Sequence, residues 1–125
     1  MSGKHLELGR KGEAEAASFL QKKGYKIIDC DCRSRFGQID IIAKDKNTVC
    51  FIEVKSRSTL RFGVPSEAVD RTKQKKISRA ALLYLLKNKL LESSARFDVV
   101  AIEYIDDEPR IELIKDAFPL DKSYT

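Results

Sequence analysis

Two carboxylates and one lysine stand near the middle of the sequence at positions where they could support acid, base or metal-ion chemistry. Residues 37–57 predict two strands joined by a polar turn at residues 46–47. In that hairpin Asp40 and Glu53 lie directly opposite each other, with Cβ atoms about 5 Å apart. Two facing carboxylates repel unless a positive charge lies beside them, and Lys55 or a divalent cation could supply that charge.

The alternation of side chains along the two strands favours this register. The predicted cross-strand pairs are Ile42 with Phe51, Asp40 with Glu53, and Gln38 with Lys55. The opposite face of both strands is wholly apolar and consists of Ile39, Ile41, Ala43, Cys50, Ile52 and Val54. This register therefore leaves no apolar residue on the wrong face. On the hairpin alone, a structural network of ion pairs explains the charged residues as well as a catalytic site does.

A helix before the hairpin adds a third acid. Residues 5–23 predict a helix that is ended by a glycine. Glu13 lies in its apolar stripe, because it stands one turn before Ala17 and two turns before Leu20. Gly12 beside it would let another backbone or a ligand come close. The alternative explanation for Glu13 is an acid near the start of the helix that the helix dipole favours.

A second predicted helix carries the densest basic cluster of the chain. Ser66 is its predicted N-cap, and the helical spacing continues to about Leu91. Lys73 stands beside the apolar face, because it lies one turn from both Val69 and Ile77. The other cations form a face that could bind phosphates: Arg71, Lys75, Lys76 and Arg79. For Lys73, the alternative is a stem that covers apolar surface while the ammonium group reaches water.

Further strands complete the predicted order of elements. Residues 25–30 predict a strand before the hairpin, and residues 110–114 predict a short edge strand. Residues 96–105 form a nearly continuous apolar run, which is typical of a strand buried on both faces. A helix between the hairpin and this strand predicts a parallel crossover. Asp98, the acid within the buried run, predicts a structural hydrogen bond or ion pair.

Length and composition indicate a soluble globular domain. The chain has 125 residues, of which 42% are hydrophobic and 34% are charged. We expect a single domain over residues 1–125, with a core at about residues 5–115 and a peripheral C-terminal tail. The sequence contains no run long enough to span a membrane and no secretory signal, so we expect a cytoplasmic protein without a membrane partner.

Charge and cysteine content limit the partners further. The net charge of +5, from 24 Lys and Arg against 19 Asp and Glu, favours a polyanionic partner. Cys30, Cys32 and Cys50 form no Cys-x-x-Cys motif, and His5 is far away in the sequence. A zinc site is therefore not predicted, and we expect reduced, structural cysteines.

Taken together, these segments resemble the PD-(D/E)xK nuclease superfamily. Within it they resemble the YraN-like family, whose members are predicted endonucleases related to archaeal Holliday-junction resolvases. The resemblance covers about residues 9–105. It rests on Gly-Arg-Lys-Gly-Glu at 9–13, Gly-Gln-Ile-Asp at 37–40, Phe-Ile-Glu-Val-Lys-Ser-Arg at 51–57, Lys73, and Arg-Phe-Asp-Val-Val at 96–100. An isolated Glu-x-Lys motif is weak, but its combination with an upstream Asp, a helical Glu and a basic helix is specific.

The resemblance implies a restriction-endonuclease-like three-layer α/β fold, with a mixed central sheet flanked by helices in the order α-β-β-β-α-β-β. It implies a Mg²⁺- or Mn²⁺-dependent endodeoxyribonuclease whose DNA substrates include branched intermediates of recombination and repair. The implied catalytic residues are Asp40, Glu53, Lys55 and Glu13, with the three acids as metal ligands. The predicted DNA-binding residues are Lys73, Lys75, Lys76, Arg79, Arg57 and Arg10. The resemblance to the resolvases is also compatible with a symmetric homodimer.

Gln38 is the main departure from the family pattern, because the family typically has glutamate at that position. The change lowers the negative charge of the site and makes Gln38 an accessory residue whose part in metal binding or water positioning stays open. Two alternatives to an enzyme follow. One is a nucleic-acid-binding protein on a nuclease scaffold with little or no hydrolysis, and the other is a protein-interaction module in which the basic helix contacts an acidic partner.

Overall fold

A mixed five-stranded sheet forms the centre of the protein, and a helix packs on each of its faces. The structure, a computed structural model, describes residues 3–57 and 69–121, with side chains from residue 11 onward except that of Arg57. Its elements are α1 (Gly3–Lys22), β1 (Lys26–Ser34), β2 (Gly37–Asp45), β3 (Thr48–Arg57), α2 (Arg71–Lys87), β4 (Ser94–Ile105) and β5 (Glu108–Phe118). This order confirms the predicted restriction-endonuclease-like α/β fold.

The strands lie in the sheet in the same order as in the sequence, from β1 to β5. Neighbouring strands are antiparallel except for β3 and β4, which are parallel and are connected through α2. A parallel pair needs such a crossover, so the prediction from the helix position is confirmed. Tight turns join the antiparallel pairs. Asp106 and Asp107, with φ values of 53° and 63°, form the turn between β4 and β5, as expected for a two-residue hairpin.

Each face of the sheet has its own hydrophobic core. Beneath α1 lie Ala16, Leu20, Ile41, Cys50, Ile52, Val100 and Ile102, together with further buried residues. Beneath α2 lie Ile42, Phe51, Ile77, Ala80, Phe97, Val99 and their neighbours. Val99 and Val100 alternate between the two cores, which confirms that β4 is buried on both faces. Within the described ranges, no helix is long and apolar enough to cross a membrane.

The two edge strands are longer than predicted. β1 continues to Ser34 rather than ending at Cys30, and β5 covers Glu108–Phe118 rather than residues 110–114. Polar residues in an edge strand face solvent, so their composition resembles that of a loop. Phe118, at the end of β5, is buried in the core beneath α2.

In the described part of the chain, the basic helix begins at Arg71, which is later than predicted. Its N-cap is Asp70, whose Oδ1 accepts a hydrogen bond of 2.8 Å from Lys73 N. This is a standard capping interaction, because the first amides of a helix lack partners within the helix. The helix ends at Lys87 rather than near Leu91. The N-cap predicted at Ser66 lies outside the described residues.

Asp98 has the structural role that the sequence predicted. Its carboxylate is fully buried and accepts hydrogen bonds from Arg96 Nε at 3.0 Å and from the amide of Asp116 at 2.9 Å. Arg96 Nη2 also lies 2.8 Å from Asp45 Oδ2 and donates to the hydroxyl of Tyr25. This network joins Tyr25, which precedes β1, to β2, β4 and β5 at the end of β2 that lies away from Asp40.

Candidate active site

Asp40 lies where β2 and β3 separate. Backbone pairing between the two strands runs from their turn to Ile41, which faces Ile52, and ends there. Just beyond this point Asp40 Oδ2 accepts a hydrogen bond of 2.9 Å from Val54 N. A carboxylate oxygen thus takes the place of a backbone carbonyl as the partner of this amide. Asp40 and Glu53, which were predicted to face each other, therefore lie just beyond the last paired residues of the two strands.

The side-chain alternation of β2 changes at the same position. Ile42 faces Phe51, as predicted, and both lie beneath α2, whereas Ile41 lies beneath α1. Strict alternation would place Ile39 with Ile41, but Ile39 also lies beneath α2. The prediction that Ile39 and Ile41 share one face is therefore wrong. The physical reason is that β2 leaves the regular ladder at Asp40.

Glu53 is a buried carboxylate with one paired and one unpaired oxygen. The residue is only 5% exposed. Its Oε1 forms a salt bridge of 3.0 Å with Lys73 Nζ, whereas Oε2 has no hydrogen-bond donor among the described residues. Leaving a buried acceptor unpaired costs about 1–3 kcal/mol. Such an atom in a native fold often indicates a place where an ion or a water binds.

The environment of Glu53 opposes its negative charge. Burial, followed by repulsion from Asp40, raises the pKa of Glu53 to about 7, although Lys73 acts in the opposite direction. Near neutral pH, a cation placed beside Glu53 could therefore take the place of the proton that this environment favours. Such pairs of interacting carboxylates are common at functional sites.

Two lysines lie beside this pair, and their pKa values are shifted in opposite directions. Burial lowers the pKa of Lys55, and repulsion from Lys73 lowers it further. Burial also acts to lower the pKa of Lys73, but attraction to Glu53 outweighs it, so the pKa of Lys73 is raised. Lys73 therefore keeps its charge and binds Glu53, instead of placing its ammonium group in water alone. Lys55 is the easier of the two to deprotonate.

Gly12 allows α1 to approach β3 closely enough to bring Glu13 to the site. A Cβ atom on residue 12 would lie 1.9 Å from Ser56 Oγ, so the predicted close approach at this glycine is confirmed. Glu13 is half-buried. Burial, and then the negative charges of Asp40 and Asp31, raise the pKa of Glu13. The helical acid therefore lies in the same electrostatic environment as the hairpin acids.

Asp31 is a further acid near the site that the sequence analysis does not single out. Cys30 and Cys32 pair with the residues on either side of Asp40, so Asp31 stands opposite Asp40. Its Oδ1 accepts a hydrogen bond from Gln38 Nε2, which a glutamate at position 38 could not donate. Sequence reasoning missed Asp31 because its polar segment was interpreted as a connection. Extending β1 in register with β2 would have identified it.

The donor atoms of the site suit a hard cation. Asp40, Glu53 and Glu13 offer only oxygen ligands, which Mg²⁺ and Mn²⁺ prefer, and Glu53 Oε2 is a buried oxygen to which no described residue donates. In the described part of the chain, however, no three His, Cys, Asp or Glu side chains are close enough to form a metal-binding group. The three predicted acid ligands therefore lie near one site, but their carboxylates do not converge on a common point.

The predicted DNA-binding residues of α2 lie in and beside the site. Lys73 is within it, and Lys75, Lys76 and Arg79 are exposed on the same helix. Lys76 packs against the β1–β2 turn, since a Cβ on Gly37 would lie 3.6 Å from Lys76 Cβ. The side chains of Arg57 and Arg10 lie outside the described residues.

The fold and the site together define a class of protein. In a restriction-endonuclease-like sheet, β2 and β3 separate at Asp40, and the Glu-x-Lys motif of β3 lies beside this aspartate. The chain belongs to the Uncharacterised protein family UPF0102, whose family model matches residues 12–102. This match confirms the predicted YraN-like family, and the matched segment includes Glu13, Asp40, Glu53, Lys55 and Lys73.

Relatives in this family match the chain over nearly its whole length. A UPF0102 protein of Syntrophus aciditrophicus is 48% identical over 116 residues, which cover 93% of this chain and 91% of the relative. A UPF0102 protein of Geobacter metallireducens is 44% identical over 120 residues, covering 96% of this chain and 98% of the relative. A UPF0102 protein of Geobacter sulfurreducens is 48% identical over 114 residues, covering 90% and 89%.

Proposed function

We propose that the chain is a metal-dependent DNA endonuclease that hydrolyses phosphodiester bonds, including those in branched recombination and repair intermediates. The observation that supports this best is the state of Glu53. It is buried beside Asp40, it titrates near neutral pH, and its Oε2 lacks a donor among the described residues. A purely structural ion network would be expected to satisfy both oxygens, whereas a site that binds a cation leaves one open.

Each charged residue of the site has a defined part in this proposal. Asp40 and Glu53 would hold Mg²⁺ or Mn²⁺, with Glu13 as a further ligand, either directly or through a water. When bound, the ion would polarise the scissile phosphate and lower the pKa of a nearby water. Lys55 would orient that water or stabilise the negative charge that develops at the phosphate. Lys73, once released from Glu53, would bind a phosphate oxygen.

A second candidate is a nucleic-acid-binding protein that retains the scaffold without hydrolysis. Two observations favour it. Lys73 occupies one oxygen of Glu53, and Gln38 occupies one oxygen of Asp31, so fewer carboxylate oxygens are free for a cation. Such a protein would bind DNA equally well with metal and with a chelator.

Cleavage of labelled DNA with and without metal separates the two candidates. Duplex, flapped and four-way branched DNA would be incubated with Mg²⁺ or Mn²⁺. We expect cleavage that a chelator abolishes, and that Asp40→Asn and Glu53→Gln each reduce at least about 100-fold. The exposed acid of β5 provides the matched control, because Glu112→Gln changes the charge equally and should retain full activity.

The same assay defines what would reject the proposal. Equal cleavage by Asp40→Asn and the unaltered chain would exclude this site as the source of activity. DNA binding without cleavage would support the second candidate, and absence of binding at low salt would favour a protein-interaction module. Within the first proposal, Lys55→Ala should reduce the rate of cleavage while leaving the affinity for DNA unchanged, because its contact is made mainly in the transition state.

A further inference from the structure

An apolar groove lies between the β1–β2 turn and one face of α2. It has a volume of about 340 Å³ and is lined by Phe36, Arg79, Leu82, Leu83 and Leu86. The lining is apolar apart from the guanidinium group. Leu86 is 59% exposed, so the groove presents hydrophobic surface to solvent. Exposed apolar surface of this kind often marks a site of interaction.

The turn that carries Phe36 is held in one conformation. Ser34 Oγ donates a hydrogen bond of 3.0 Å to Gly37 O and accepts one of 3.2 Å from Phe36 N. Phe36 also packs against the core beneath α2, and the Arg35 guanidinium lies 4.8 Å from the centre of its ring. An aromatic ring fixed in this way loses little conformational entropy when a ligand stacks on it.

A row of cations connects the groove with the proposed catalytic site. Lys73, Lys76 and Arg79 follow one another at intervals of three residues, so each is a neighbour of the next and together they wind partway around α2. Lys73 binds Glu53, Lys76 packs against Gly37, and Arg79 lines the groove. The distance from Lys73 to Arg79 along the helix axis is about 9 Å. This distance corresponds to about two or three nucleotides of one DNA strand.

Resting on the proposed function, we propose that the groove accommodates an unpaired nucleobase of the DNA substrate, stacked on Phe36, with the flanking phosphates at Lys76 and Arg79. An aromatic surface with cations at its rim matches the two parts of a nucleotide, because every base has a π face and every phosphate is an anion. A base within a regular duplex cannot enter such a groove. The substrate class is therefore DNA with a single-stranded segment a few nucleotides from the cleaved bond.

The charge of the rim disfavours a second copy of the chain as the occupant. In a symmetric dimer formed through this groove, the same surface of each copy would meet the other. Arg79 and Lys76 would then face the equivalent cations of the partner, and juxtaposed like charges oppose association. A polyanion has the complementary charge.

A fluorescent reporter tests the groove without any cleavage. The chain contains no tryptophan, so Phe36→Trp introduces a single one. In the presence of a chelator, a duplex with a single-stranded extension should quench its emission, whereas a blunt duplex of the same sequence should not. Phe19→Trp is the matched control, because Phe19 also lies beside a cation, Lys23, but on α1. Its emission should not respond to either DNA.

Affinity measurements complete the test. Phe36→Ala should weaken binding of the extended duplex about tenfold, as expected for the loss of one base stack, and change binding of the blunt duplex less than about twofold. Equal quenching by both DNAs, quenching by neither, or a blue shift that grows with protein concentration alone would overturn the inference. Because no metal is present, these results are independent of the Asp40→Asn cleavage test, so a failure of the groove proposal can be distinguished from a failure of the proposed hydrolysis.

Discussion

At the scale of single residues, Glu53 is where burial and charge oppose each other most strongly. Its carboxylate is buried beside Asp40 and is held by Lys73 through only one of its oxygens. Replacement of a buried ion pair by apolar residues is often neutral or stabilising, so stability alone does not account for this arrangement. The cost is instead expected to appear in the dependence of stability on pH.

We predict that the free energy of unfolding falls by about 3 kcal/mol as pH rises from 4.5 to 7, because of Glu53. Its pKa is about 7 in the folded chain and 4.5 when unperturbed, so the folded state binds more protons between these values. The stabilisation is thus complete below the unfolded pKa and is lost as pH passes the folded one. Urea unfolding of the unaltered chain and of Glu53→Gln, at a series of pH values with a chelator, measures this difference.

Glu112→Gln is the control for that measurement, since it removes an exposed acid. It should keep the pH dependence of the unaltered chain, whereas Glu53→Gln should flatten it. The raised pKa of Glu13 contributes in the same direction, so a smaller slope should remain. Parallel profiles for Glu53→Gln and the unaltered chain would show that Glu53 does not titrate in this range.

The sequence predicted part of this residue-level picture. Alternation along the two strands was enough to bring Asp40 and Glu53 close together, although the regular pairing of the strands ends at Ile41 and Ile52. Sequence did not predict the unpaired Oε2 of Glu53 or the hydrogen bond between Gln38 and Asp31, because both depend on where the ladder ends. The attachment of Lys73 to Glu53 likewise depends on the docking of α2.

At the scale of elements, the site depends on how closely α1 approaches β3. Gly12 is in the interior of α1, where alanine would normally stabilise a helix by about 1 kcal/mol. Here an added Cβ would meet Ser56 at 1.9 Å from Oγ and 3.1 Å from Cβ. Rotation of the hydroxyl would remove only the first of these contacts. Glycine at position 12 thus allows close packing against Ser56 at the expense of helix propensity.

We predict that Gly12→Ala destabilises the unaltered chain by about 1 kcal/mol but stabilises a Ser56→Gly chain by a similar amount. In the first background the contact with Ser56 outweighs the helix propensity of alanine, and in the second the contact is absent. A double-mutant cycle of unfolding free energies measures the coupling between the two positions.

Gly24 supplies the control for this cycle. It has a φ of 95° and no neighbouring atom within 4 Å of an added Cβ, so Gly24→Ala should cost about 1 kcal/mol through backbone strain alone. That cost should be the same with serine or glycine at position 56. Equal rescue of Gly12→Ala and Gly24→Ala by Ser56→Gly would contradict the packing explanation.

The elements themselves were predicted most accurately where they are buried. The apolar run of β4 and the hairpin of β2 and β3 carry a strong signal, because burial requires particular residue types. The edge strands carry a weaker one. β5 includes Pro109, which an edge strand tolerates although proline usually indicates a turn. In β1, Asp31 and Arg33 are exposed, and only Cys32 between them packs against the core.

At the scale of the whole molecule, acids and bases are separated into neighbouring regions. The carboxylates lie in the gap between β2 and β3, while the exposed cations of α2 lie beside them. Under the proposed function, the cations would attract a polyanion, and the acids would then be positioned to take part in chemistry at a phosphate. The net charge of +5 is small, so its location matters more than its size.

We predict that the double substitution Lys75→Gln and Lys76→Gln weakens DNA binding and reduces its salt dependence. Each phosphate contact contributes about 0.9 to the slope of log affinity against log salt concentration, so the slope should decrease by about 1.8. The loss should be similar for duplexes of unrelated sequence, because phosphate contacts carry no base information. Fluorescence anisotropy over a range of salt concentrations measures both quantities.

The matched control removes the same charge at the far end of α1. Lys22 and Lys23 lie about 14 Å along the helix axis from Glu13, so Lys22→Gln with Lys23→Gln should leave the slope almost unchanged. If both double variants lowered the slope equally, the net charge of the chain would control binding rather than the surface of α2. If only the α2 variant did so, DNA would have to pass along the helix that carries Lys73, which places the phosphate backbone beside Asp40 and Glu53.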